Sequence, residues 1–328
     1  MDEAAPTGAP SDEPTMLDVL RLEEIDRDLY RSTLVTPERS PLYGGQVAAQ
    51  ALLAAGGTVD PDRAPHSLHG YFLRGGNAAK PTVFRVDRDR DGRAFSARRV
   101  VALQDGDVIF SMSASFQTPV ESPDHPVQEP LGADRPEDSV PTPLSKMFPL
   151  EQRLPAQPYP ESYWPTRFWA RSTAPLPDDD LLHACVLTYL SDLNSGLSVL
   201  PDDIAAPGPS LDHAVWFHRR ARLDDWVLTD LRPGTVSGGR GWYTGSVTGV
   251  DGRLVASFAQ ESLFTSGPNR SARAAARRPG SRGGPVPAPA VRASFPRFAC
   301  PSRNLAAIPR SRRAPPATRS GAPTPAAA

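Results

Sequence analysis

Apolar residues recur at steps of three and four along residues 182–198, which is the spacing of one face of an α-helix. Asp192 interrupts this face, because it follows Cys185 by seven residues and Tyr189 by three. A charge on the apolar face of a helix is costly unless a partner or a function compensates for it. Two interpretations follow from the pattern. Either Asp192 is a functional carboxylate, or the helix frays before it and the carboxylate caps the turn over residues 194–196.

Both predicted helices have recognisable ends. Pro177 and the three aspartates after it suit the first turn of the helix that carries Asp192, where carboxylates meet the positive end of the helix dipole. A second, alanine-rich helix is predicted between Gly44-Gly45 and Gly56-Gly57. The first pair of glycines would allow close backbone approach and expose N–H groups at the helix N-terminus, and the second pair would end the helix.

Alternating apolar and polar residues, rich in β-branched and aromatic side chains, predict a series of strands. In chain order they cover residues 66–74, 82–89, 94–104, 108–117, 163–170, 211–219, 226–231, 239–248 and 254–264. Residues 16–31 also alternate and are expected to pair at a sheet edge. Asp-Gly pairs beginning at residues 91 and 105 are typical of hairpin turns. Each half of the chain therefore combines one helix with an antiparallel meander.

Landmarks repeat between the two halves at a nearly constant offset, which indicates an internal duplication. The offset is 143 for Ser67-Leu68-His69 and Ser210-Leu211-Asp212, 147 for Gly92-Arg93 and Gly239-Arg240, and 146 for Asp105-Gly106 and Asp251-Gly252. We therefore predict an α+β fold of two tandem units, each an antiparallel β-sheet wrapped around a long helix.

Composition divides the chain further. The units are expected at residues 16–118 and 161–267. Residues 119–160, rich in Pro, Asp, Glu and Ser, are expected to form a linker. Residues 1–15 and the Arg/Pro/Ala-rich residues 268–328 contain little that could form a core, so both are expected to be disordered.

Charge and cysteine content narrow the function classes. The chain carries a formal net charge of −1, but residues 268–328 hold twelve arginines and no acid, so the preceding residues carry −13. This acidic body argues against a nucleic-acid surface, although the tail leaves a nucleic-acid or acidic partner open. Two cysteines allow neither a disulfide framework nor a cysteine metal cluster. With no signal peptide and no stretch near the roughly 18 apolar residues of a membrane span, we expect a cytoplasmic protein.

Motifs in both halves resemble those of type II acyl-CoA thioesterases. They are LYGGQ from residue 42, HSLHGYFLR from 66, DGRAFSARRV from 91, ASFQ from 114, SDLN from 191, SLDHAVWFH from 210, GRG from 239 and AQE from 259. The resemblance runs in order over residues 16–264. It implies a double hot-dog fold, an acyl-CoA substrate, no metal or other cofactor, and assembly into homo-oligomers. Tyr43 departs from the pattern, because the family usually has Phe there.

The resemblance assigns catalytic roles to Asp192, Ser210 and Gln260, which together would hold a water. The assignment is chemically reasonable, because a carboxylate can take the proton of a water and the other two side chains can fix its direction of attack. Backbone N–H groups at a helix N-terminus would polarise the thioester carbonyl. Gly44-Gly45 and the residues before Leu181 are both candidates for supplying these N–H groups.

Contacts with the substrate are expected at five further residues. Gly44, Gly45 and Gln46 lie at a predicted helix N-terminus, and the guanidinium groups of Arg98 and Arg240 could meet the phosphates of coenzyme A. The two arginines could equally be solvated charges on strands.

Other mechanisms have weaker signals. The chain has no Gly-x-Ser-x-Gly motif, and Cys185 is expected in the core, so no covalent nucleophile is evident. Asp212 and His213 are adjacent in a predicted strand and should point to opposite faces, so they are not expected to form a dyad, and His213 is expected to be structural. A non-catalytic acyl-CoA-binding or sensor protein and a hot-dog enoyl-CoA hydratase remain alternatives.

Overall fold

A computed structural model of the protein describes residues 13–37, 39–125, 131–145, 147–200 and 206–265. The helices are α1 (Met16–Leu20), α2 (Gly44–Gly56) and α3 (Asp180–Ser191), with 3₁₀ turns at Pro136–Asp138 and Gly196–Val199. The strands are β1 (Leu22–Asp26), β2 (Leu29–Ser32), β3 (Ala64–Phe72), β4 (Val83–Asp91), β5 (Phe95–Gln104), β6 (Asp107–Gln117), β7 (Val140–Pro141), β8 (Leu150–Leu154), β9 (Arg167–Ser172), β10 (Ala206–Ser210), β11 (Asp212–Phe217), β12 (Val227–Ser237), β13 (Arg240–Gly249) and β14 (Leu254–Thr265).

The described strands form one 14-stranded antiparallel sheet. Its order is β1-β2-β4-β5-β6-β3-β11-β14-β13-β12-β9-β8-β7, and β10 pairs with β14 beside this path. Followed outward from β3 and from β11, the two orders match strand for strand, except that the side of β11 ends with one further strand, β7. Each side also receives one long helix, α2 before β3 and α3 before β11. The predicted pair of helix-and-sheet units is therefore confirmed, and we call them the N-terminal half (α1, α2, β1–β6) and the C-terminal half (α3, β7–β14).

The two halves share a continuous sheet, because β3 and β11 pair with each other at its centre. Leu68 of β3 lies opposite Val215 of β11, and both side chains are fully buried. The core therefore passes from one half to the other without interruption.

The two long helices pack against each other through glycine at both ends. A Cβ added at Gly45 would lie 2.5 Å from the carbonyl oxygen of Tyr189, and one added at Gly56 would lie 2.3 Å from the side chain of Leu181. The start of α2 thus meets the end of α3, and the end of α2 meets the start of α3. The close approach expected at Gly45 is confirmed, as is the helix end expected at Gly56-Gly57, and the Gly56 contact is an additional finding.

Helix α3 is shorter than its apolar pattern predicts. It begins as expected, with the Asp179 side chain accepting from the Leu182 N–H at 3.1 Å, but it ends at Ser191. Asp192 is the C-cap residue, and the next turn is capped by Ser195, whose hydroxyl accepts from the Leu197 N–H. The apolar spacing continues past the helix because a 3₁₀ turn buries the residues that follow it.

Some elements have no clear sequence signal. Residues 119–160, expected to be a linker, contain β7 and β8, which extend the sheet beyond β9. These strands are too short to show alternation. Helix α1 lies within residues 16–31, where only an edge strand is predicted, and it begins with a capping box between Thr15 and Asp18. The disorder expected for residues 1–15 is wrong at residues 13–15, where Thr15 caps α1, and the rest of that segment and residues 268–328 lie outside the described residues. No helix in the described ranges is long and apolar enough to cross a membrane.

Candidate active site

The end of α3 and the start of α2 meet at Asp192. The backbone N–H of Gly45 donates a hydrogen bond to the Asp192 carboxylate. Gly44 also lies close to Asp192, since a Cβ added at Gly44 would lie 2.7 Å from Asp192 Oδ2. The carboxylate therefore lies over the first turn of α2, where unpaired N–H groups and the helix dipole stabilise negative charge.

Two side chains from the sheet complete a cluster with Asp192. Gln260 lies on β14, and Ser210 ends β10, which pairs with the same strand. The amide Nε2 of Gln260 donates to Asp192 Oδ1 at 3.0 Å and to Ser210 Oγ at 2.6 Å. The hydroxyl of Ser210 also hydrogen-bonds the carboxylate. The structure thus brings together the three side chains that the sequence analysis singled out, from positions up to 68 residues apart.

The environment makes Asp192 a stronger base than an ordinary aspartate. Desolvation raises its pKa from 3.8 to about 6, although hydrogen bonds from Gln260, the Gly45 N–H and Ser210 oppose that rise because they favour the charged form. At neutral pH the carboxylate is mainly ionised. Its pKa lies close enough to the surrounding pH for it to accept a proton during a reaction.

Two tyrosines hold the chain on either side of Asp192. The Tyr43 hydroxyl donates to the carbonyl of Tyr189 at 2.7 Å, and the Tyr243 hydroxyl donates to the carbonyl of Asn194 at 3.2 Å. Burial raises the pKa of both phenols well above their usual value, and the charge of Asp192 adds to the rise. Both phenols therefore stay neutral and act as hydrogen-bond donors. The Tyr43 bond ties the N-cap of α2 to the last turn of α3.

Histidine 213 lies behind the cluster. Its Nε2 is 2.7 Å from Ser191 Oγ, and burial lowers its pKa to about 4, so the ring is neutral. Sequence reasoning missed its proximity to Gln260. The only sequence signal for this proximity is strand alternation, because it turns the His213 side chain inward and the Asp212 side chain outward. Asp212 accepts from the Glu261 N–H at 2.7 Å, and the two residues do not form a dyad, as expected.

The predicted contact between Arg98 and the substrate does not agree with the structure. Its side chain is 1% exposed, and its guanidinium is used within the N-terminal half. It donates to Thr58 Oγ1 and O, to the carbonyls of Arg90 and Ala97, and to Asp91. A contact with coenzyme A would break these buried bonds, so Arg98 is structural.

The other residues predicted to contact the substrate lie in different places relative to the cluster. Arg240 pairs with Glu261 at 2.9 Å, on the face of the sheet opposite to that of Gln260. Gln46 is half-buried in the first turn of α2, beside the glycines. The residues before Leu181 are at the far end of α3 and do not meet Asp192. Cys185 is buried in the core, as expected.

The N-terminal half has no matching cluster among its described residues. Counted from the Asp-Gly turn before each strand, Ala114 of β6 occupies the position of Gln260 of β14. The C-cap residue of α2 is Gly57, where α3 has Asp192. Neither the amide nor the carboxylate is repeated, so the duplication preserves the framework and changes the chemistry.

Two family models match the chain. One describes the acyl-CoA thioesterase N-terminal domain and matches residues 36–117, and the other describes the acyl-CoA thioesterase C-terminal domain and matches residues 119–264. The chain therefore belongs to the acyl-CoA thioesterase family. Asp192, Ser210 and Gln260 all lie in the part matched by the C-terminal domain.

Individual relatives agree with this membership. Human acyl-coenzyme A thioesterase 8 is 34% identical over 279 residues, which are 75% of this chain and 87% of that protein. Acyl-CoA thioesterase 2 of Haemophilus influenzae is 32% identical over 285 residues, 76% of this chain and 96% of that protein. The structure of the acyl-CoA thioesterase II TesB2 from Mycobacterium marinum matches with a TM-score of 0.66 and 40% identity, over 77% of this chain and 98% of that chain.

A hot dog fold protein from Alicyclobacillus acidocaldarius shows the fold alone. It matches with a TM-score of 0.63 and 22% identity, over 77% of this chain and 98% of that chain. Together with the topology described above, this match confirms the predicted double hot-dog fold.

Proposed function

We propose that the protein hydrolyses acyl-CoA to a free fatty acid and coenzyme A by direct attack of water. The observation that carries the proposal is the hydrogen-bonded cluster of Asp192, Ser210 and Gln260 over the first turn of α2. The substrate class follows from family membership and from the names of the relatives.

In the proposed reaction the cluster holds the attacking water. The water donates one proton to Asp192 and the other to Ser210 Oγ, so an oxygen lone pair points at the thioester carbonyl. Gln260 fixes both acceptors, because its amide protons are already directed at them. Asp192 takes a proton as the C–O bond forms, a role that is typically worth about 10²–10⁴-fold in rate.

The tetrahedral intermediate then collapses. Its C–S bond breaks, and the proton held by Asp192 passes to the sulfur of coenzyme A. The N–H groups of Gly44 and Gln46, at the start of α2, are the proposed donors to the developing oxyanion, since the Gly45 N–H is bonded to Asp192.

Thiol release from a panel of acyl-CoAs of increasing chain length tests the proposal, with Asp192→Asn as the matched control. Release by the wild type that is lost in the variant supports it. Binding of acyl-CoA by calorimetry without release would favour an acyl-CoA-binding or sensor protein instead. Hydration of an enoyl-CoA without thioester cleavage would favour the hydratase.

We also propose that the chain assembles into homo-oligomers through the outer face of the sheet. At the β3–β11 junction Tyr71 is 62% exposed and Trp216 is 37% exposed, and the His69 ring packs edge-on against Trp216 at 5.0 Å. Exposed aromatic residues are enriched in protein interfaces. Light scattering on the wild type and on Trp216→Ser with Tyr71→Ser would test this, and a monomeric wild type would contradict it.

We also propose a cytoplasmic location. Cys185 is a free, buried thiol, which suits a reducing compartment. Fractionation of the native source is the test. The acidic body continues to argue against a nucleic-acid partner.

A further inference from the structure

His213 lies directly opposite Gln260 across two paired strands. Strands β11 and β14 pair with Ala214 opposite Ala259, so the next cross-strand pair is His213 and Gln260. Their side chains are 1% and 3% exposed and point to the same, inner face of the sheet. Residues paired in this way have Cβ atoms about 5 Å apart, close enough for direct side-chain contact.

Each of the two side chains has one polar atom that the rest of the site does not use. Among the described residues, His213 Nδ1 and Gln260 Oε1 are buried atoms without another hydrogen-bond partner. The second polar atom of each is already engaged, His213 Nε2 with Ser191 Oγ and Gln260 Nε2 with the cluster. Buried polar groups are normally paired, and these two are complementary when Nδ1 carries the proton.

The orientation of the Gln260 amide decides whether the cluster is intact. An ionised carboxylate only accepts hydrogen bonds, so Asp192 requires the Nε2 side of the amide. This requirement turns Oε1 away from Asp192 and toward His213.

We propose that His213 is a positioning residue for Gln260, with Nδ1–H donating to Gln260 Oε1. The inference rests on the proposed function, because it adds to the catalytic cluster a residue that touches neither the water nor the substrate. With the ring proton on Nδ1, His213 Nε2 is an acceptor for the Ser191 hydroxyl, which lies 2.7 Å from Nε2 and 2.9 Å from the carbonyl oxygen of Thr188. The bond from His213 Nδ1 holds the Gln260 amide with its N–H groups toward Asp192 and Ser210.

The opposite tautomer would disturb the site. With the proton on Nε2, the unprotonated Nδ1 of His213 would face Oε1 of Gln260, and two acceptors would oppose each other. Rotation of the amide would relieve that conflict, but it would place an oxygen against the Asp192 carboxylate.

Two substitutions of His213 separate positioning from packing. The Nδ2 of asparagine approximates the histidine Nδ1, whereas the Nε2 of glutamine approximates the histidine Nε2. We expect His213→Asn to keep kcat close to that of the wild type. His213→Gln and His213→Ala should lower kcat by about 10²-fold, the usual cost of a misplaced catalytic group, with KM little changed.

The matched control is His183, which is also buried and whose Nδ1 accepts from the Leu223 N–H at 3.1 Å, near the opposite end of α3. His183→Asn should leave kcat unchanged. Equal losses in His213→Asn and His213→Gln, or no loss in His213→Ala, would overturn the proposal.

A measurement on the folded wild type does not depend on activity. Nitrogen NMR of the full chain labelled with ¹⁵N-histidine should show a protonated Nδ1 and an unprotonated Nε2 for His213, assigned by the signal that His213→Asn lacks. The Nδ1 signal should shift in Gln260→Ala. An unprotonated Nδ1 would refute the inference even if hydrolysis is observed. A wild type without hydrolysis but with the expected tautomer would instead refute the proposed function.

Discussion

The Gly45 N–H donates to the carboxylate of Asp192, so the first turn of α2 in one half of the chain is bonded to the end of α3 in the other half. The three clustered side chains come from the C-terminal half, but the helix that stabilises their charge comes from the N-terminal half. The proposed site is therefore built by both halves, although its side-chain chemistry belongs to one of them.

Asp192→Asn should remove most of the turnover and leave acyl-CoA binding intact, because the shape of the side chain is kept and its charge is lost. A decrease of about 10²–10⁴-fold in kcat is expected for the loss of a general base. Thiol release measures kcat, and calorimetry with an acyl-CoA measures binding. A variant with the wild-type rate would show that Asp192 is not the base.

Asp192 should also make stability fall as pH rises. Its pKa is 3.8 when unfolded and about 6 when folded, so the folded state binds more protons between these values. The stabilising contribution is present below pH 4 and is lost as the pH rises through 6, by up to about 3 kcal/mol. Urea unfolding at pH 4.5 and pH 7.5 should show most of this loss in the wild type and a smaller one in Asp192→Asn. An identical pH dependence in both proteins would contradict the shifted pKa. Activity should change in the opposite direction and rise through pH 6.

Ser210→Ala and Gln260→Ala should each lower kcat, and the double variant should lose less than the product of the two separate losses. The reason is that the two side chains share one hydrogen bond of 2.6 Å and serve one cluster. The kcat values of the wild type, the two single variants and the double variant measure the coupling. Strictly multiplicative losses would mean that the residues act independently.

Arg98→Met should destabilise the protein without changing the KM for acyl-CoA. The substitution removes a buried guanidinium and leaves its partners unpaired, which typically costs about 3 kcal/mol or more. Arg99→Met is the matched control, because the neighbouring Arg99 is exposed and forms only ion pairs of 3.4 Å. Denaturant unfolding and KM should be measured for both variants. An increase in KM without a loss of stability would restore Arg98 as a substrate contact.

Tyr43→Phe should lower the free energy of unfolding by about 1 kcal/mol, because it removes the hydrogen bond to the Tyr189 carbonyl. Activity should persist, since phenylalanine is the usual residue of the resembling family at this position. Tyr159→Phe, at an exposed tyrosine outside the proposed interface, provides the control and should have no measurable effect on stability. Equal stability of wild type and Tyr43→Phe would mean that the bond contributes nothing.

The sequence predicts those parts of the fold that repeat over many residues. The long strands and the bounds of α2 follow from alternation and from paired glycines, and the duplication follows from the constant offset. Strands β7 and β8 and helix α1 escape prediction because they are too short to show a period. Their places in the sheet depend on pairing partners distant in sequence.

The candidate site shows a different limit of prediction from sequence. Spacing identifies Asp192 as unusual but cannot connect it to Gln260, 68 residues away, because sheet register makes that contact. The resemblance to a known family supplies that connection from the sequence. It could not reveal the bond from Gly45 or the position of His213, since both depend on how two helix ends and two strands meet. The burial of Arg98 could not be predicted either, because sequence alone does not distinguish a solvated strand arginine from a buried one.

The central pairing of β3 with β11 also bears on how such a chain could have arisen. A single ancestral unit with this strand order would have exposed β3 as an open edge, ready to join the same edge of a second copy. Fusion of two copies would make that association permanent and independent of concentration. Fusion would also allow one copy to lose its own catalytic groups. The N-terminal half has Ala114 where the C-terminal half has Gln260, as expected of a copy that kept only its structural role.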